Sequence, residues 1–463
     1  TNKHYMEKNN NLRVGMPVFS SIFFIMGFAT TFIIQLSAPL KAVFSLSEFQ
    51  AQLLTSAFFV AYPIMAFPIS MLVNRIGYKC TVINGLILMG LGSMVFVPAA
   101  KLPSYPLFLL ATFILAVGVV FLHVTANPYV AGMGEEKSAS SRLNLTQALN
   151  SIATMIAPWV IAMLIFKGLV LAHEASEAER LAYGLEVASR IPASFIALAA
   201  LVFFAAISLF FIKLPELATE QGGKKGNVLK YPHVLLGALA IFCYVGSEVG
   251  NAALMTNYLR TGSLGLSAET AASYVAVYWG GAMIGRFFGS MMFSDTPVKK
   301  LLVYVPLILL LAFVSATFVT GYNWKMGAIF TLTSALNFAF MVIGKGQPSR
   351  SLAIFALAAA MLGLLTTFTT GNIALWTVVS IGLFNSIMFP NIFALAVKDL
   401  KGSELASASG FVNSFVVGGA VVPAIMGSIA DIYGYTFAYI VPAICYLYIM
   451  FYAIKGSKIR LKG

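Results

Sequence analysis

The strongest constraint on this chain is a series of apolar runs, each long enough to cross a lipid bilayer. A spanning helix needs about 17–25 residues, and in lipid only helices and closed barrels satisfy their own backbone. Fourteen such runs lie near residues 17–43, 50–73, 81–100, 105–131, 143–166, 192–212, 233–259, 269–294, 301–320, 325–344, 351–370, 374–397, 406–430 and 434–454. Since 59% of the 463 residues are hydrophobic and only 10% are charged, we expect an all-α polytopic membrane protein.

The net charge of +13 would be compatible with a nucleic-acid partner, so the positions of the basic residues matter. If the N-terminus is cytoplasmic, only seven of the 29 Lys and Arg residues fall in outer segments. These seven are Lys41, Lys101, Lys167, Arg180, Arg190, Arg260 and Lys325. The positive-inside rule then places both termini in the cytoplasm. The basic charge is a topology signal, and we predict no nucleic-acid partner.

Motifs of catalysis and of cofactor binding are missing from the sequence. There is no P-loop, no HExxH and no GxSxG, and the three cysteines are far apart, without CxxC spacing. We therefore predict neither an enzyme nor a metal site or cofactor. The first residues, "TNKHYMEKNNNLR", are polar and precede a run too long for a signal-peptide core, so we predict no cleaved targeting peptide.

The two halves of the chain repeat weakly. "VNRIGYKC" follows the second run and "GRFFGSMMFSDTPVKK" closes the eighth, while "TANPYVAG" is echoed by "IMFPNIFALAVKDL". Parallel repeats of this kind are typical of two-bundle transporters. We predict an N-terminal six-helix bundle over residues 1–214, a cytoplasmic linker over 215–232 and a C-terminal bundle over 233–463.

Pairing the two halves leaves two runs without a counterpart. They lie within about 299–345 and are separated by "GYNWK", which predicts an inserted transmembrane hairpin and fourteen spans. A merged or re-entrant arrangement with twelve spans is the alternative. The polar stretch within 171–190 has helix-forming composition, so we expect a short solvent-facing helix between the fifth and sixth spans.

Ionisable residues inside a spanning run need a reason, because each costs roughly 2.5–3.5 kcal/mol at the bilayer centre. Glu248 lies in the seventh run, with Tyr244 and Asn251 at helical spacing from it. It is either a substrate ligand or proton-carrying site, or a protonated carboxyl that binds a neighbouring helix. His123 in the fourth run has three readings: proton coupling, substrate contact or structural hydrogen bonding.

Amide side chains mark a second polar surface. In "RLNLTQALNS", Asn144, Gln147 and Asn150 are three residues apart and lie on adjacent positions of one helix. Amides both donate and accept hydrogen bonds without charge, which suits a polyhydroxylated ligand, although bonds between helices are the alternative. Weaker candidates for the same lining are Thr31, Gln35, Asn127, Tyr278 and Asn385.

Three arginines lie where gates are expected, near the inner ends of spans. These are Arg75, Arg142 and Arg286, of which Arg286 would clamp helix-end carbonyls or an acidic partner. Lys41 and Asp431 fall near outer ends, where we expect them to snorkel or stay hydrated.

Several stretches together resemble one known family. They include "LKAVFSLSEFQAQLLTSAFFVAYPIMAFP", "NRIGYK", "TANPYV", "SSRLNLTQALNS", "FCYVGSEVG", "GRFFGS" and "GLFNSIMFPNIFALA". They are similar to the fucose and glucose/galactose permeases, the fucose:proton symporter branch of the major facilitator superfamily. The resemblance implies two six-helix bundles, one central site open alternately to each side, and uptake of a monosaccharide.

Within that resemblance, Gln147 and Asn150 match amides expected at the sugar site, and Glu248 matches a position that is commonly acidic in the glucose-type members. Two positions depart from the fucose permease. This chain has Ile34 and His123 where that permease carries membrane carboxylates. Proton coupling therefore does not transfer intact, and we expect Glu248 and His123 to take it over.

The sequence thus predicts a monomeric secondary active transporter of the bacterial inner membrane. Its expected cargo is a hexose such as glucose, galactose or fucose, with a co-transported proton or, as an option, sodium. The alternatives are an uncoupled facilitator or a permease for an amino sugar, a peptidoglycan fragment or another small organic solute. A non-transporting membrane sensor is a further alternative.

Overall fold

A computed structural model describes residues 2–133, 139–169, 176–214, 228–261, 264–294, 296–400 and 402–459. Within these ranges nearly every residue is helical and no strand occurs. This follows from the apolar runs, because a helix satisfies its backbone hydrogen bonds internally and so tolerates lipid. The all-α prediction is confirmed.

The first half contains six spans. Its helices are α1 (Asn2–Gln35), α2 (Ser37–Phe44), α3 (Glu48–Phe59), α4 (Ala61–Lys101), α5 (Tyr105–Gly132), α6 (Ala139–Ile161) and α7 (Glu177–Phe211). Two of the six spans each consist of two successive helices: α1 continues into α2, and α3 continues into the first part of α4. The chain reverses inside α4 at Gly77, whose φ of 79° and ψ of 170° are not helical. A glycine suits this turn because it adopts positive φ at low cost.

The second half contains eight spans. Its helices are α8 (Pro232–Arg260), α9 (Ala268–Met292), α10 (Val298–Val319), α11 (Trp324–Ile343), α12 (Pro348–Phe368), α13 (Gly371–Asn385), α14 (Met388–Ala396), α15 (Gly402–Ser414), α16 (Gly418–Tyr433), α17 (Tyr435–Ala438) and α18 (Ile440–Ile454). Three spans are interrupted, formed by α13 with α14, α15 with α16, and α17 with α18. Among the described residues, thirteen helical segments are long and apolar enough to cross a membrane. The 25-residue α9 is long enough to be the fourteenth span.

The packing repeats between the halves. Helix α1 packs on α6 as α8 packs on α16, and α4 packs on α7 as α12 packs on α18. Likewise α4 packs on α5, while α9 and α12 pack on α13. These pairings confirm two pseudo-symmetric bundles of six spans. The predicted linker at 215–232 falls largely outside the described residues, because 215–227 are not among them.

The two unpaired spans form the predicted hairpin. Helices α10 and α11 are joined at residues 320–323, where the side chain of Asn323 accepts a hydrogen bond from the backbone N–H of Met326 at 3.2 Å. The hairpin packs mainly on α9. Asn337 on α11 also donates to the backbone oxygen of Leu383 on α13 at 3.0 Å. The outer side of α10 exposes large apolar residues such as Leu302 and Leu310, as a lipid-facing surface requires.

The sixth span differs from the prediction. We expected a separate solvent-facing helix within 171–190, but α7 is continuous from Glu177 to Phe211, and residues 170–175 lie outside the described ranges. Reciprocal hydrogen bonds between Ser176 and Glu179 start the helix. Two residues before Pro192, Arg190 donates to the backbone oxygens of Ile165 and Lys167 at 3.3 and 2.8 Å. This stretch therefore packs on the end of the fifth span and continues into the sixth.

The loops define two faces of the helical array. We call the face where α1 begins and α18 ends the terminal face, and the opposite face, with the turns at 45–47, 102–104 and 320–323, the distal face. The two bundles meet mainly where α6 packs on α9, α3 on α16 and α4 on α15, and α1 also contacts α8. The candidate site lies between these pairs.

Helices of the C-terminal bundle approach without a gap at Gly382. A Cβ atom there would lie 2.0 Å from the backbone oxygen of Tyr278 on α9. We predict that Gly382→Ala lowers the free energy of unfolding by about 1–3 kcal/mol, because the overpacked helices must shift. A thermal unfolding curve in detergent measures this loss.

The matched control is Gly410→Ala on α15, where the nearest atom to the new Cβ would be 4.0 Å away. Alanine is the better helix former by about 1 kcal/mol, so this variant should be at least as stable as the parent. Equal unfolding temperatures for the two variants would contradict the steric argument.

Candidate functional site

A cavity lies between the two bundles, midway along the helices. Its empty volume is about 680 Å³, a figure that includes space open to solvent. The N-terminal bundle contributes polar side chains, namely Thr30, Thr31, Tyr62, His123, Gln147, Asn150 and Thr154. The C-terminal bundle contributes Tyr244, Glu248, Trp279 and Arg286. One wall is therefore polar, with His123 as its one ionisable side chain apart from Tyr62, while the other carries a carboxylate and a guanidinium.

Several of these groups have no hydrogen-bond partner among the described residues. The hydroxyl oxygen of Thr31 and the indole nitrogen of Trp279 are buried and unbonded among the described residues. The side-chain amide of Gln147 also lacks a hydrogen bond to any described residue. Gln147 is slightly less buried than the other two, with 7% of its surface exposed. Buried polar groups are nearly always satisfied, so these groups indicate a polar ligand or water in the cavity.

Asn150 is only partly available to a ligand. Its side-chain nitrogen donates to the backbone oxygen of Phe23 on α1 at 2.7 Å. A Cβ at Gly27 would lie 2.5 Å from the backbone oxygen of Asn150, so α1 and α6 are in close contact here. Asn150 thus joins two helices and lines the cavity at the same time.

Arg286 forms the electrostatic centre of the site and is 5% exposed. Its Nη2 donates to the Oε1 of Glu248 at 3.4 Å and to the hydroxyl of Tyr244 at 3.2 Å. Its Nη1 contacts α6 of the other bundle, donating to the hydroxyl of Ser151 and to the backbone oxygen of Gln147 at 3.5 Å. The guanidinium therefore neutralises Glu248 and joins the two bundles beside the cavity.

The same guanidinium is also held from within its own bundle. Its Nε donates to the backbone oxygen of Ser386 at 3.1 Å, in the break between α13 and α14. The structure thus provides the helix-end carbonyl and the acidic partner that we predicted for Arg286, but it places them at the cavity wall.

His123 pairs with a tyrosine that the sequence analysis did not single out. The hydroxyl of Tyr62 and the Nδ1 of His123 are 2.5 Å apart, and both residues line the cavity. Which atom is the donor depends on the tautomer. This bond fixes the orientation of the imidazole ring in the wall.

Three predicted lining residues lie behind the wall in a buried network. Tyr278 donates to the backbone oxygen of Glu248 at 2.9 Å, and Asn385 donates to the hydroxyl of Tyr278 at 2.8 Å. Tyr446 then donates to Asn385 at 2.7 Å, and Asn251 donates to Tyr446 at 3.1 Å. The structure therefore gives Asn251, Tyr278 and Asn385 protein partners that connect α8, α9, α13 and α18 behind Glu248.

The remaining predicted residues lie away from the cavity. Gln35 accepts from the hydroxyl of Thr256 at 3.1 Å across the bundle interface, and Asn127 donates within its own helix to the backbone oxygen of His123 at 3.4 Å. Arg142 donates to the backbone oxygen of Val130 at 3.0 Å, and Arg75 is exposed near the terminal face. The structure does not bring these four residues to the site.

The lining residues that the sequence analysis missed are aromatic or small. Tyr62 lies in the apolar stretch "FFVAYPIMAF", and Thr154 lies in "NSIATMIAP", so neither stands out by polarity. The one feature that could have indicated Tyr62 is that it is a polar aromatic residue directly before Pro63. Among the described residues, no group of three or more His, Cys, Asp or Glu side chains is arranged to hold a metal ion.

The chain is similar to known membrane transport proteins along most of its length. The sequence model of the Major Facilitator Superfamily matches residues 18–350. The glucose/galactose transporter of Brucella abortus is 39% identical over 442 residues, which cover 94% of this chain and 92% of that protein. The L-fucose-proton symporter of Escherichia coli is 28% identical over 94% of this chain and 91% of its own length. The crystal structure of the Escherichia coli fucose:proton symporter superposes with a TM-score of 0.68, at 27% identity, covering 96% and 98% of the two chains.

The buried ion pair generates a stability prediction. Removing one partner of such a pair costs about 3–5 kcal/mol, because the other charge remains buried alone. We expect Arg286→Met to lower the free energy of unfolding by about this amount. The double variant Glu248→Gln with Arg286→Met should recover most of the loss, as judged by thermal unfolding in detergent.

Glu186→Gln is the matched control, since Glu186 is exposed on α7 and pairs with Arg190 at 3.1 Å. Such pairs contribute about 0–1 kcal/mol. An unfolding temperature of the double variant no higher than that of Arg286→Met would contradict the pairing.

Proposed function

The chain belongs to the major facilitator superfamily, and on that premise we propose that it is a secondary active transporter that takes up a neutral monosaccharide by cation-coupled symport. The site alternates between the two sides of the membrane as the bundles rock against each other. The curated relatives described above are named as transporters of glucose and galactose or of L-fucose. We infer a hexose of this kind as the cargo.

The observation that carries the proposal is the set of buried, unpaired hydrogen-bonding groups in the cavity wall. Thr31 and Gln147 can donate and accept, while Trp279 donates only. Sugar hydroxyls also donate and accept, so one ring can satisfy several of these groups. The face of the Trp279 indole offers an apolar surface of the kind that sugar rings stack on. The wall is thus suited to a neutral polyol.

For ion coupling we propose Glu248, with His123 as a second candidate. Glu248 lines the cavity and is paired with Arg286 at 3.4 Å. A proton that enters the cavity and binds Glu248 removes its negative charge and weakens this pair. Because Arg286 also contacts Gln147 and Ser151 of the other bundle, the protonation state of Glu248 changes the interaction between the bundles. Sodium is the alternative ion.

For the gates we retain Arg75, Arg142 and Arg286, of which Arg286 has direct contacts between the bundles. We further propose that the protein works as a monomer in a bacterial inner membrane, with the terminal face in the cytoplasm. The N-terminal unit then comprises residues 1–214, the cytoplasmic linker 215–232 and the C-terminal unit 233–463. The excess of Lys and Arg in segments of the terminal face supports this orientation.

Transport by the purified protein in liposomes tests the proposal. We expect counterflow of at least one hexose among glucose, galactose and fucose, and none of amino acids. An acidic outside and a neutral inside should drive accumulation of that sugar above its external concentration. Equilibration without accumulation under imposed proton and sodium gradients would contradict symport, and counterflow only of N-acetylhexosamines or amino acids would contradict the cargo.

We predict that Glu248→Gln abolishes accumulation driven by a pH gradient while it retains counterflow. The amide keeps the shape of the side chain and still accepts from Arg286, but it no longer takes up a proton. Glu404→Gln is the matched control, because Glu404 binds Tyr231 at 2.6 Å near the terminal face, away from the cavity. Full accumulation in Glu248→Gln would remove Glu248 from the coupling role.

We also predict that Gln147→Ala weakens sugar binding by about 1–3 kcal/mol, since a hydrogen bond to the ligand is lost in a buried site. Isothermal titration in detergent gives the dissociation constant. Asn337→Ala on the hairpin removes a buried amide that does not line the cavity, so its dissociation constant should equal that of the parent. Unchanged affinity in Gln147→Ala would show that this amide does not contact the sugar.

A further inference from the structure

A cluster of charged and polar side chains connects the two bundles at the distal face. Its members are Lys41 and Glu48 of the N-terminal bundle and Asn257, Asp431 and Tyr435 of the C-terminal bundle. We call this cluster the distal latch. None of its residues lines the cavity, so neither the proposed sugar site nor the proposed coupling site accounts for it.

Glu48 is the centre of the distal latch and is only 2% exposed. The side-chain nitrogen of Asn257 donates to both of its carboxylate oxygens, each at 3.1 Å. The ammonium of Lys41 and the hydroxyl of Tyr435 also donate to Oε1. A buried carboxylate depends on such partners, and two of these three belong to the opposite bundle.

Asp431 adds a second connection, directed at the backbone. Its two oxygens accept from the backbone N–H groups of Glu48 at 3.1 Å and Phe49 at 3.2 Å. These are first-turn amides of α3, which have no partner within their own helix and attract negative charge. We expected Asp431 simply to stay hydrated. It is exposed, yet it also caps a helix of the other bundle.

The backbones are close enough at this point for the contacts to form. A Cβ at Gly427 on α16 would lie 3.1 Å from the backbone oxygen of Glu48. Any movement that opens the distal face must separate α3 from α16 and α8. That movement leaves Glu48 with Lys41 alone and removes Asp431 from the N-terminus of α3.

We propose that Glu48 and Asp431 are positioning residues of the transport cycle, which hold the distal face closed while the site faces the terminal side. The strength of the distal latch then sets the equilibrium between the two orientations of the site. The bonds from Asn257 and Tyr435 act through Glu48, and the bonds of Asp431 act through the first turn of α3. This role does not depend on which sugar or ion is carried.

Distances between spin labels, measured by double electron–electron resonance, test the proposal without any substrate. One label pair reports on the distal face, at Lys101→Cys and Glu269→Cys, which are exposed positions in different bundles. For this pair, Cys80→Ser, Cys243→Ala and Cys445→Ala remove the native thiols. A second pair reports on the terminal face, from the exposed native Cys80 to Lys398→Cys, with the other two thiols removed.

In Glu48→Gln and Asn257→Ala we expect the distal pair to shift toward longer distances and the terminal pair toward shorter ones. Asp431→Ala should act in the same direction. Glu186→Gln is the matched control, because it removes an ion pair near the distal face that lies within the single helix α7. Both of its distance distributions should equal those of the parent.

Unchanged distributions in both Glu48→Gln and Asn257→Ala would overturn the proposal, even if the variants melt at lower temperature, because a purely structural contact lowers stability without changing the orientation of the bundles. Asn257→Ala leaves every charge in place, so it carries the test if Glu48→Gln does not fold. Since no sugar is added, a failed sugar-transport assay and a failed distance measurement remain distinguishable.

Discussion

The hydrocarbon of a bilayer offers no hydrogen bond to a protein, and this constraint governs where polar chemistry lies in the fold. Every described span is helical, so the backbone is satisfied within each helix, but polar side chains must find partners elsewhere. Many Ser and Thr hydroxyls bond to carbonyls of their own helix, as Thr125 does to Phe121, whereas larger polar side chains such as Asn150 and Arg286 bond to neighbouring helices. The most demanding case is Arg286, which distributes its donors over Glu248, Tyr244, Ser151 and the backbone oxygens of Gln147 and Ser386.

The two bundles contribute different chemistry to the central cavity. The N-terminal bundle supplies neutral donors and acceptors such as Thr31 and Gln147, whereas the C-terminal bundle supplies the charged pair Glu248 and Arg286. Behind that pair, the network from Tyr278 to Asn251 fixes the helices that carry it. In the proposed transport cycle, recognition of a neutral ligand would thus depend mostly on one bundle and the response to an ion mostly on the other.

Hydropathy and repeats were sufficient to predict the fourteen spans, the two bundles and the hairpin, because length and apolar content decide whether a helix crosses lipid. The sixth span shows the limit, since polar residues before Pro192 predicted a break in a helix that is continuous.

At the site, Gln147, Glu248 and His123 stand out as polar residues within apolar runs. The sequence analysis names Tyr278 as a lining residue, whereas its neighbour Trp279 lines the cavity. Adjacent residues on a helix point about 100° apart. Sequence alone does not decide which of the two faces the cavity. Glu48 escaped notice because it lies at the boundary of a run, where a carboxylate is ordinarily hydrated.

The glycine contacts have a mechanical consequence. Within the C-terminal bundle, Gly382 and Gly418 face backbone atoms of a neighbouring helix, while Gly280 and Gly419 face side chains of the opposite bundle, Met155 and Phe59. Backbone against backbone leaves no slack, whereas a methionine or phenylalanine side chain can rotate out of the way. The two helix pairs held by Gly382 and Gly418 would therefore move as rigid units, whereas the contacts of Gly280 and Gly419 between the bundles can yield.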